Sequence, residues 1–193
     1  MTSFPDSRTR CNWCSQDEIY IQYHDHEWGV LVKEDKKLFE FLTLEGAQAG
    51  LNWLTILKRR KNYQCAFEDF DFIKVAGYGE KKIEELINNK GLIRNRAKIL
   101  SSISNAKSFI KIIDEFGGFF SYTMRFFPQG QPIQNHWDQF QDIPVETPES
   151  IAMSKDMKKR GFSFFGPVIC YAHLQATGAI WDHLNSCFLA KKP

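Results

Sequence analysis

Helical periodicity runs through nearly the whole chain and limits its fold more than any other sequence feature. From Asp35 onward apolar residues recur at helical spacing, and a longer pattern of the same period runs from Asn95 to Gly117. Alternating patterns typical of strands are scarce, although residues 162–165 (FSFF) could form a brief extended piece. Residues 128–146 are polar and irregular, which predicts a long surface connection. The sequence therefore predicts an all-α fold.

Capping residues indicate where several helices begin. Asn52 is a suitable N-cap for a helix that we expect to run towards Phe67. Thr147-Pro148 is typical of a helix start, because proline is tolerated at the first helical position. The last helix or helix pair is predicted over residues 166–188, with an interruption near Gly178. A chain of 193 residues built in this way fits one domain with its own core.

The charge balance permits a nucleic-acid partner without indicating one. The formal net charge is +2, whereas dedicated nucleic-acid binders are usually more basic. The N-terminal residues lack the apolar run of a signal peptide, and no apolar stretch is long enough to span a bilayer. We therefore expect a cytoplasmic protein with no membrane partner. That reducing compartment favours metal ligation by cysteine over disulfides.

Residues of the types that bind zinc lie near both ends of the chain. The N-terminal group is Cys11, Cys14, His24 and His26, and the C-terminal pair is His183 and Cys187. The C-terminal pair is spaced i, i+4, so its side chains would share one face of a helix and supply two of the ligands that zinc requires. Either group could instead consist of ordinary buried residues. Together they predict a structural zinc that joins the two termini and leaves no position for a catalytic water.

Aromatic side chains and one carboxylate crowd together near the N-terminus. Between Trp13 and Trp53 lie Tyr20, Tyr23, Trp28 and Glu45. Flat rings can stack on a nucleobase, and a fixed acceptor such as Glu45 can read the edge of that base. The same residues could equally form an aromatic core beside an exposed glutamate. The residues alone leave both interpretations open.

Residues 80–116 are predicted to form a helical hairpin. A short amphipathic helix over residues 80–89 ends at Gly91, and a longer helix follows. Basic residues occupy the junction: Arg94, Arg96 and Lys98. Backbone amides and positive charge at such a turn can hold a DNA phosphate, although most helical hairpins bind nothing.

Several sequence blocks occur in a fixed order from Arg10 onward. They are RCNW at 10–13, YHDHEWGV at 23–30, LEGAQAGLNW at 44–53, GLIRNRAKI at 91–99, KKRGFSFFGPVICYAHLQATG at 158–178 and DH at 182–183, followed by Cys187. In these blocks the chain closely resembles the bacterial 3-methyladenine DNA glycosylase I family, a branch of the helix-hairpin-helix glycosylases. The resemblance implies one glycosylase domain over residues 10–193, preceded by an unmatched extension of residues 1–9.

The resemblance also implies a role for particular residues of this chain. The zinc ligands, in the terminal segments 10–30 and 180–190, would be Cys11, His24, His183 and Cys187. The residues in contact with the excised base would be Glu45, Tyr23 and Trp53, and the pocket would be lined by Trp13, Tyr20 and Trp28. Gly50 and Leu51 match the residues that push into the DNA stack. With the hairpin residues, the expected DNA contacts are Gly50, Leu51, Gly91, Arg94 and Arg96.

Two positions depart from the family pattern. Cys14 stands where the family usually has a small or apolar residue, which makes it a rival to Cys11, although we expect Cys11 to bind the zinc. The hairpin has the single glycine Gly91 instead of the two-glycine turn common elsewhere in the superfamily, so its hold on phosphate stays open. Related superfamily enzymes use an aspartate downstream of the hairpin. Asp114 has a similar spacing, but it lies near the end of its helix beside Glu115, which favours a surface role.

The activity that the resemblance implies is monofunctional excision of 3-methyladenine from alkylated double-stranded DNA, with release of the free base by a monomeric enzyme. Methylation at N3 makes the adenine cationic and weakens its glycosidic bond, so the enzyme needs little acid or base catalysis. Two other classes stay open. One is a glycosylase of different specificity, including a bifunctional one, and the other is a non-catalytic module that binds damaged DNA.

Overall fold

Most of the residues that the computed structural model describes, Phe4 and residues 6–190, are helical. The α-helices in this part of the chain are α1 (Glu18–His26), α2 (Asp35–Gln48), α3 (Trp53–Leu57), α4 (Arg60–Ala66), α5 (Phe72–Ala76), α6 (Glu80–Asn88), α7 (Arg96–Phe116), α8 (Phe119–Met124), α9 (Pro148–Lys159) and α10 (Pro167–Ala176). Two short strands, β1 (Ile133–Gln134) and β2 (Ile180–Trp181), pair in parallel. The helical prediction is confirmed, with this small sheet added. Over the described ranges, no helix has both the length and the apolar character needed to cross a membrane.

Side chains cap the helices at the predicted starts. Asn52 and Asn95 each accept a hydrogen bond from a backbone amide in the first turn that follows. Thr147 and Ser150 cap each other reciprocally, with Pro148 at the first helical position. These starts follow from local chemistry, because the capping oxygen satisfies an amide that has no partner within the helix.

The helix predicted to run from Asn52 towards Phe67 is in fact two helices. α3 ends at Leu57, and α4 begins at Arg60. The break directs the Arg60 guanidinium towards α1 and α2, where it pairs with Glu27 at 2.7 Å and with Glu40 at 2.6 Å. A half-buried pairing with two carboxylates thus accompanies the change of direction.

Residues 162–165 do not form the extended piece that their sequence suggested. The backbone of Ser163 pairs with a side chain instead of a strand: its amide donates to Asn105 Oδ1 at 2.9 Å, and its carbonyl accepts from Asn105 Nδ2 at 3.0 Å. The sheet lies elsewhere, where β1 in the polar segment 128–146 meets β2 near the C-terminus.

The prediction of helix over residues 166–188 is wrong beyond Ala176. α10 ends there, Gly178 adopts φ +72°, and residues 182–190 are irregular backbone and turns with no helix. A Cβ at position 178 would lie 2.5 Å from the carbonyl oxygen of Gly29 and the amide nitrogen of Leu31, so only glycine allows this approach. The chain therefore leaves α10 against the segment that follows α1, which brings the two ends of the protein together.

The longest helix, α7, packs against α2, α5, α6 and α8. At its centre the Phe109 ring lies 5.3 Å from that of Phe39 in α2 and 4.5 Å from that of Phe119 in α8. α10 covers another side of α2. Because α2 is enclosed in this way, the side chains of its C-terminal half point into the protein or into a cavity inside it.

The described part of the N-terminal extension packs onto the domain. Phe4 is buried, and the guanidinium of Arg10 lies 4.6 Å from the centroid of its ring. Arg10 is also paired with Asp6 at 2.6 Å and with Asp25 at 2.7 Å. Residues 1–3 and 5 of the predicted extension, and residues 191–193 of the predicted domain, lie outside the described residues.

Candidate functional site

A cavity of about 600 Å³ is bounded by α1, α2, α3 and α10. All six residues predicted for base contact or for the pocket line it: Trp13, Tyr20, Tyr23, Trp28, Glu45 and Trp53. The Trp13 and Trp28 rings meet edge to face at 5.0 Å, and the Tyr23 and Trp53 rings lie 5.6 Å apart. The volume falls in the range of small-molecule sites, about 300–1,000 Å³. The aromatic residues thus form the walls of a cavity.

Glu45 is the carboxylate of this cavity, and it is 3% exposed. Its Oε2 atom lies 2.8 Å from Nδ1 of His173, whereas its Oε1 atom has no hydrogen-bond partner among the described residues. Burial raises the pKa of the Glu45 carboxyl, and the neighbouring His173 opposes that rise. One oxygen of a buried carboxylate is therefore left for a ligand to bind.

His173 is a site residue that the sequence interpretation missed. It lies on α10 in the apolar run ICYAHLQA and is buried. Its partner Glu45 is far away in sequence, so no local pattern relates the two. The only available signal is a histidine in an otherwise apolar helix, which is more often a core residue.

The segment after β1 also contributes to the cavity. Phe140, Ile143 and Val145 line it, although residues 128–146 were expected to form only a surface connection. The buried Asp182 carboxylate holds this segment against α10, since it accepts hydrogen bonds from Trp137 Nε1 at 2.7 Å and from Tyr171. The apolar residues Ile143 and Val145 within a polar stretch were the signal for this contact.

The four residues predicted to bind zinc form a single buried cluster: Cys11, His24, His183 and Cys187. Their ligand atoms all lie within 4.8 Å of one another. Cys187 Sγ is 3.5 Å from His183 Nδ1 and 3.6 Å from His24 Nε2, and Cys11 Sγ is 3.5 Å from His183 Nδ1. With bonds of about 2.0–2.3 Å, neighbouring ligand atoms around a tetrahedral zinc lie about 3.3–3.8 Å apart. The cluster therefore fits a four-coordinate metal ion.

The outer nitrogens of both histidines have acceptors. His24 Nδ1 lies 2.8 Å from Asp25 Oδ1, and His183 Nε2 lies 3.3 Å from the carbonyl oxygen of Trp28. Donation to these acceptors would leave the lone pairs of the inner nitrogens directed at the cluster. The predicted helical placement of His183 and Cys187 is wrong, because both lie in the turns after β2, but these turns still bring their ligand atoms together.

Cys14 and His26 lie outside the cluster. Cys14 is buried, and its thiol is directed at the carbonyl oxygens of Ser15 and Tyr20, at 3.5 and 3.7 Å. His26 is exposed. In contrast, a hydrogen bond from the Cys11 thiol lowers the pKa of the Cys187 thiol, and that same pairing together with burial raises the pKa of Cys11.

The loop after α2 lies at the rim of the cavity. Leu51 is 40% exposed, and Gly50 before it has φ +76°. Gln48, which lines the cavity, accepts from the Leu51 amide at 2.6 Å and donates to the Leu51 carbonyl at 3.1 Å. An apolar side chain is thus held at the surface beside the pocket, which argues against a core role for Leu51.

The helical hairpin packs on α4. A Cβ at Gly91 would lie 2.9 Å from the Asn62 side chain, which favours glycine there, and the Gly91 amide donates to Asn89 Oδ1 at 2.8 Å. Arg94 is exposed and has no ion pair among the residues described. Arg96 is paired with two carboxylates of α6, those of Glu80 and Glu84, each at 2.5 Å. Asp114 is exposed, as expected.

Comparison with known proteins agrees with the fold and identifies a family. The model of the methyladenine glycosylase family matches residues 13–190. DNA-3-methyladenine glycosylase 1 of Escherichia coli (strain K12) is 44% identical over 178 residues, which are 92% of this chain and 95% of the relative.

Two solved structures have the same fold. A crystal structure of 3-methyladenine DNA glycosylase I matches with a TM-score of 0.88 at 45% identity and covers 93% of this chain and 98% of that one. A variant of 3-methyladenine DNA glycosylase I in complex with 3-methyladenine matches with a TM-score of 0.90 at 33% identity, covering 95% and 98%. The family model spans most of the sequence, and the folds agree over nearly their full length. The chain therefore belongs to the methyladenine glycosylase family.

Proposed function

We propose that this protein is a monofunctional DNA glycosylase that extrudes 3-methyladenine from alkylated double-stranded DNA and hydrolyses its N-glycosidic bond, as a step of base excision repair. One observation carries the proposal. Oε1 of Glu45 is a buried carboxylate oxygen without a partner among the described residues, in a residue that lines an aromatic cavity. Such an atom is costly unless a ligand supplies a hydrogen-bond donor or a positive charge. The 3-methyladenine cation of damaged DNA supplies both.

The rings of the cavity would hold the extruded base. Tyr23 and Trp53 lie next to each other, and Trp13, Tyr20 and Trp28 line the same cavity. Stacking of a cationic base on such rings contributes about 0.5–2 kcal/mol. Glu45 would accept a hydrogen bond from the exocyclic amino group. Its charge would stabilise the methylated base more than neutral adenine.

The reaction itself makes modest demands on the protein. When the glycosidic bond breaks, its electron pair goes to the methylated base, which leaves as a neutral molecule, and water adds to the sugar carbon and releases a proton to solvent. No side chain has to protonate the leaving group. The contribution of this chain is therefore to extrude the nucleotide, to bind the base and to admit water, and normal adenine is spared partly because it is a poor leaving group.

We assign DNA binding to two elements of the single domain that is predicted over residues 10–193. We propose that residues 80–116 act as a helix-hairpin-helix element, with the exposed Arg94 contacting a phosphate and Gly91 allowing the close packing of the turn. Arg96 would leave its two exposed carboxylate partners on α6 and bind a phosphate instead, because such surface ion pairs contribute little to stability. Leu51, with Gly50, would enter the space that the extruded nucleotide leaves.

We also propose that Cys11, His24, His183 and Cys187 bind one structural zinc ion. Two thiols and two imidazoles are a usual zinc ligand set, and all four tetrahedral positions would be taken by protein atoms. The ion would stabilise the junction between the N-terminal segment and the turns after β2. It would take no part in the chemistry.

The proposal is tested by incubating the purified protein with duplex DNA that carries methylated bases and measuring the free bases released. We expect release of 3-methyladenine and no covalent adduct on treatment with borohydride. A trapped adduct would indicate a bifunctional glycosylase, and binding to methylated DNA without release of base would indicate a non-catalytic module. Release of a different base without 3-methyladenine would indicate another specificity.

A further inference from the structure

Behind the cavity wall, Glu45 and His173 form an isolated buried pair. Nδ1 of His173 is 2.8 Å from Oε2 of Glu45, and the two side chains are 1% and 3% exposed. The imidazole is enclosed by rings, with the centroid of Phe165 at 5.4 Å and that of Phe119 at 6.0 Å. Glu45 lines the cavity, whereas His173 lies on the far side of the carboxylate.

We propose that His173 is the positioning residue that keeps Glu45 ionised and leaves its Oε1 atom as the acceptor for the damaged base. This inference rests on the proposed function, because it assigns the base to that oxygen. Donation from Nδ1 occupies Oε2, so the other oxygen alone remains without a partner. One contact thus determines both the orientation and the charge of the group that binds the base.

Among the described residues, the surroundings of His173 offer no acceptor for a second N–H. Nε2 is buried and has no hydrogen-bond partner among the described residues. A protonated imidazole would place an unsatisfied, charged N–H among the rings of Phe119 and Phe165, which is more costly than burying a lone pair. A neutral histidine that donates from Nδ1 leaves a net charge of −1 on the pair. That charge is opposite to the charge of a 3-methyladenine nucleotide.

Among the described residues, no group besides His173 makes a hydrogen bond to the Glu45 carboxylate. Burial and the charge of Glu45 raise the pKa of Tyr23 on α1 and of Cys170 on α10, so both are neutral near pH 7. The charged groups that face Tyr23, Glu27 and Arg60, are paired with each other at 2.7 Å. Without its donor, the buried Glu45 carboxyl would take up a proton and lose the negative charge that favours the cationic base.

The test compares His173→Phe, which keeps a ring but has no donor, with His173→Asn, whose amide can donate from nearly the position of Nδ1. Free 3-methyladenine is titrated calorimetrically into each protein from about pH 6 to about pH 9. Each dissociation constant is divided by that of the wild type at the same pH, so that the effect of pH on the ligand's own protonation cancels.

We expect His173→Phe to bind at least about tenfold more weakly at neutral pH and to recover towards wild type as the pH rises and Glu45 ionises. His173→Asn should stay close to wild type throughout. A constant loss at every pH, with an equal loss in His173→Asn, would reduce His173 to a packing residue. Wild-type affinity in His173→Phe would also overturn the proposal.

A second measurement decides the matter if His173→Phe fails to fold. Nitrogen-15 spectra of the wild-type imidazoles, with His173 assigned from its absence in His173→Asn, should show a neutral ring protonated at Nδ1. A ring protonated only at Nε2, or at both nitrogens, would overturn the proposal. If the wild type neither binds 3-methyladenine nor releases it from DNA, the proposed function itself fails, which is a separate outcome.

Discussion

The ammonium group of Lys98, near the start of α7, donates a hydrogen bond of 2.6 Å to the carbonyl oxygen of Ala49. It also donates to the carbonyl of Ala47 at 2.8 Å, and so caps the C-terminal end of α2. The loop that carries Leu51 begins there, and Glu45 lies one turn earlier. A residue of the hairpin thereby fixes the loop beside the pocket.

Lys98→Met should therefore loosen this loop. We expect a loss of about 1–3 kcal/mol in the free energy of unfolding, since hydrogen bonds to a charged group are removed. Excision from duplex DNA should fall more than the affinity for free 3-methyladenine, which does not need the loop. Lys107→Met, at an exposed position of the same helix, is the control and should change neither. Equal losses in both variants would contradict the role of Lys98.

Leu51→Ala should impair the extrusion of the base. The side chain is exposed, so its truncation should lower the free energy of unfolding by no more than about 0.5 kcal/mol. Activity on duplex DNA should drop while the affinity for free 3-methyladenine is retained. Leu31→Ala is a matched control, because Leu31 is 41% exposed and lies outside the cavity wall. A lower melting temperature together with weaker binding of the free base would indicate a core role instead.

Elemental analysis of the purified protein should find close to one zinc per chain. Cys14→Ala should retain the metal, because the Cys14 thiol lies outside the cluster, whereas Cys11→Ala should lose it or bind it weakly. Removal of zinc with a chelator should lower the melting temperature, since the cluster joins the two ends of the chain. The opposite pattern in the two cysteine variants would overturn the ligand assignment.

Local and long-range features of this protein were not equally predictable. The caps at Asn52 and Thr147 are local chemistry, and the sequence predicted them correctly. The break after α3 and the end of α10 depend instead on tertiary contacts, namely the ion pairs of Arg60 and the approach of Gly178 to residues 29–31. No pattern within either helix encodes those contacts.

The pocket shows the same division. The aromatic residues and Glu45 were predicted because they lie within recognisable blocks, and the structure gathers them around one cavity. His173 was missed because its partner Glu45 lies on another helix far away in sequence. The contribution of residues 140–145 was missed because Asp182, outside that segment, holds it in place.

The buried carboxylate predicts a pH dependence of stability. The pKa of Glu45 is raised in the folded protein, chiefly by burial, so folding favours its protonated form. The stability that this group contributes is therefore present at low pH and is lost as the pH rises from the unfolded value through the folded one. Glu45→Gln has no such titration. The melting temperature of Glu45→Gln minus that of the wild type should therefore increase with pH in this window. A difference that stays constant or decreases would contradict the burial of an ionising Glu45.

The central claim, that Glu45 binds the damaged base, is tested most directly by titrating free 3-methyladenine into wild type and Glu45→Gln, with excision from methylated duplex DNA measured in parallel. Glutamine keeps the shape, and an oxygen that can accept from His173, but it removes the charge. We expect binding to weaken by about 1–3 kcal/mol and excision to fall with it, while the fold is retained. A Glu45→Gln protein that binds and excises like wild type would show that the base is recognised elsewhere.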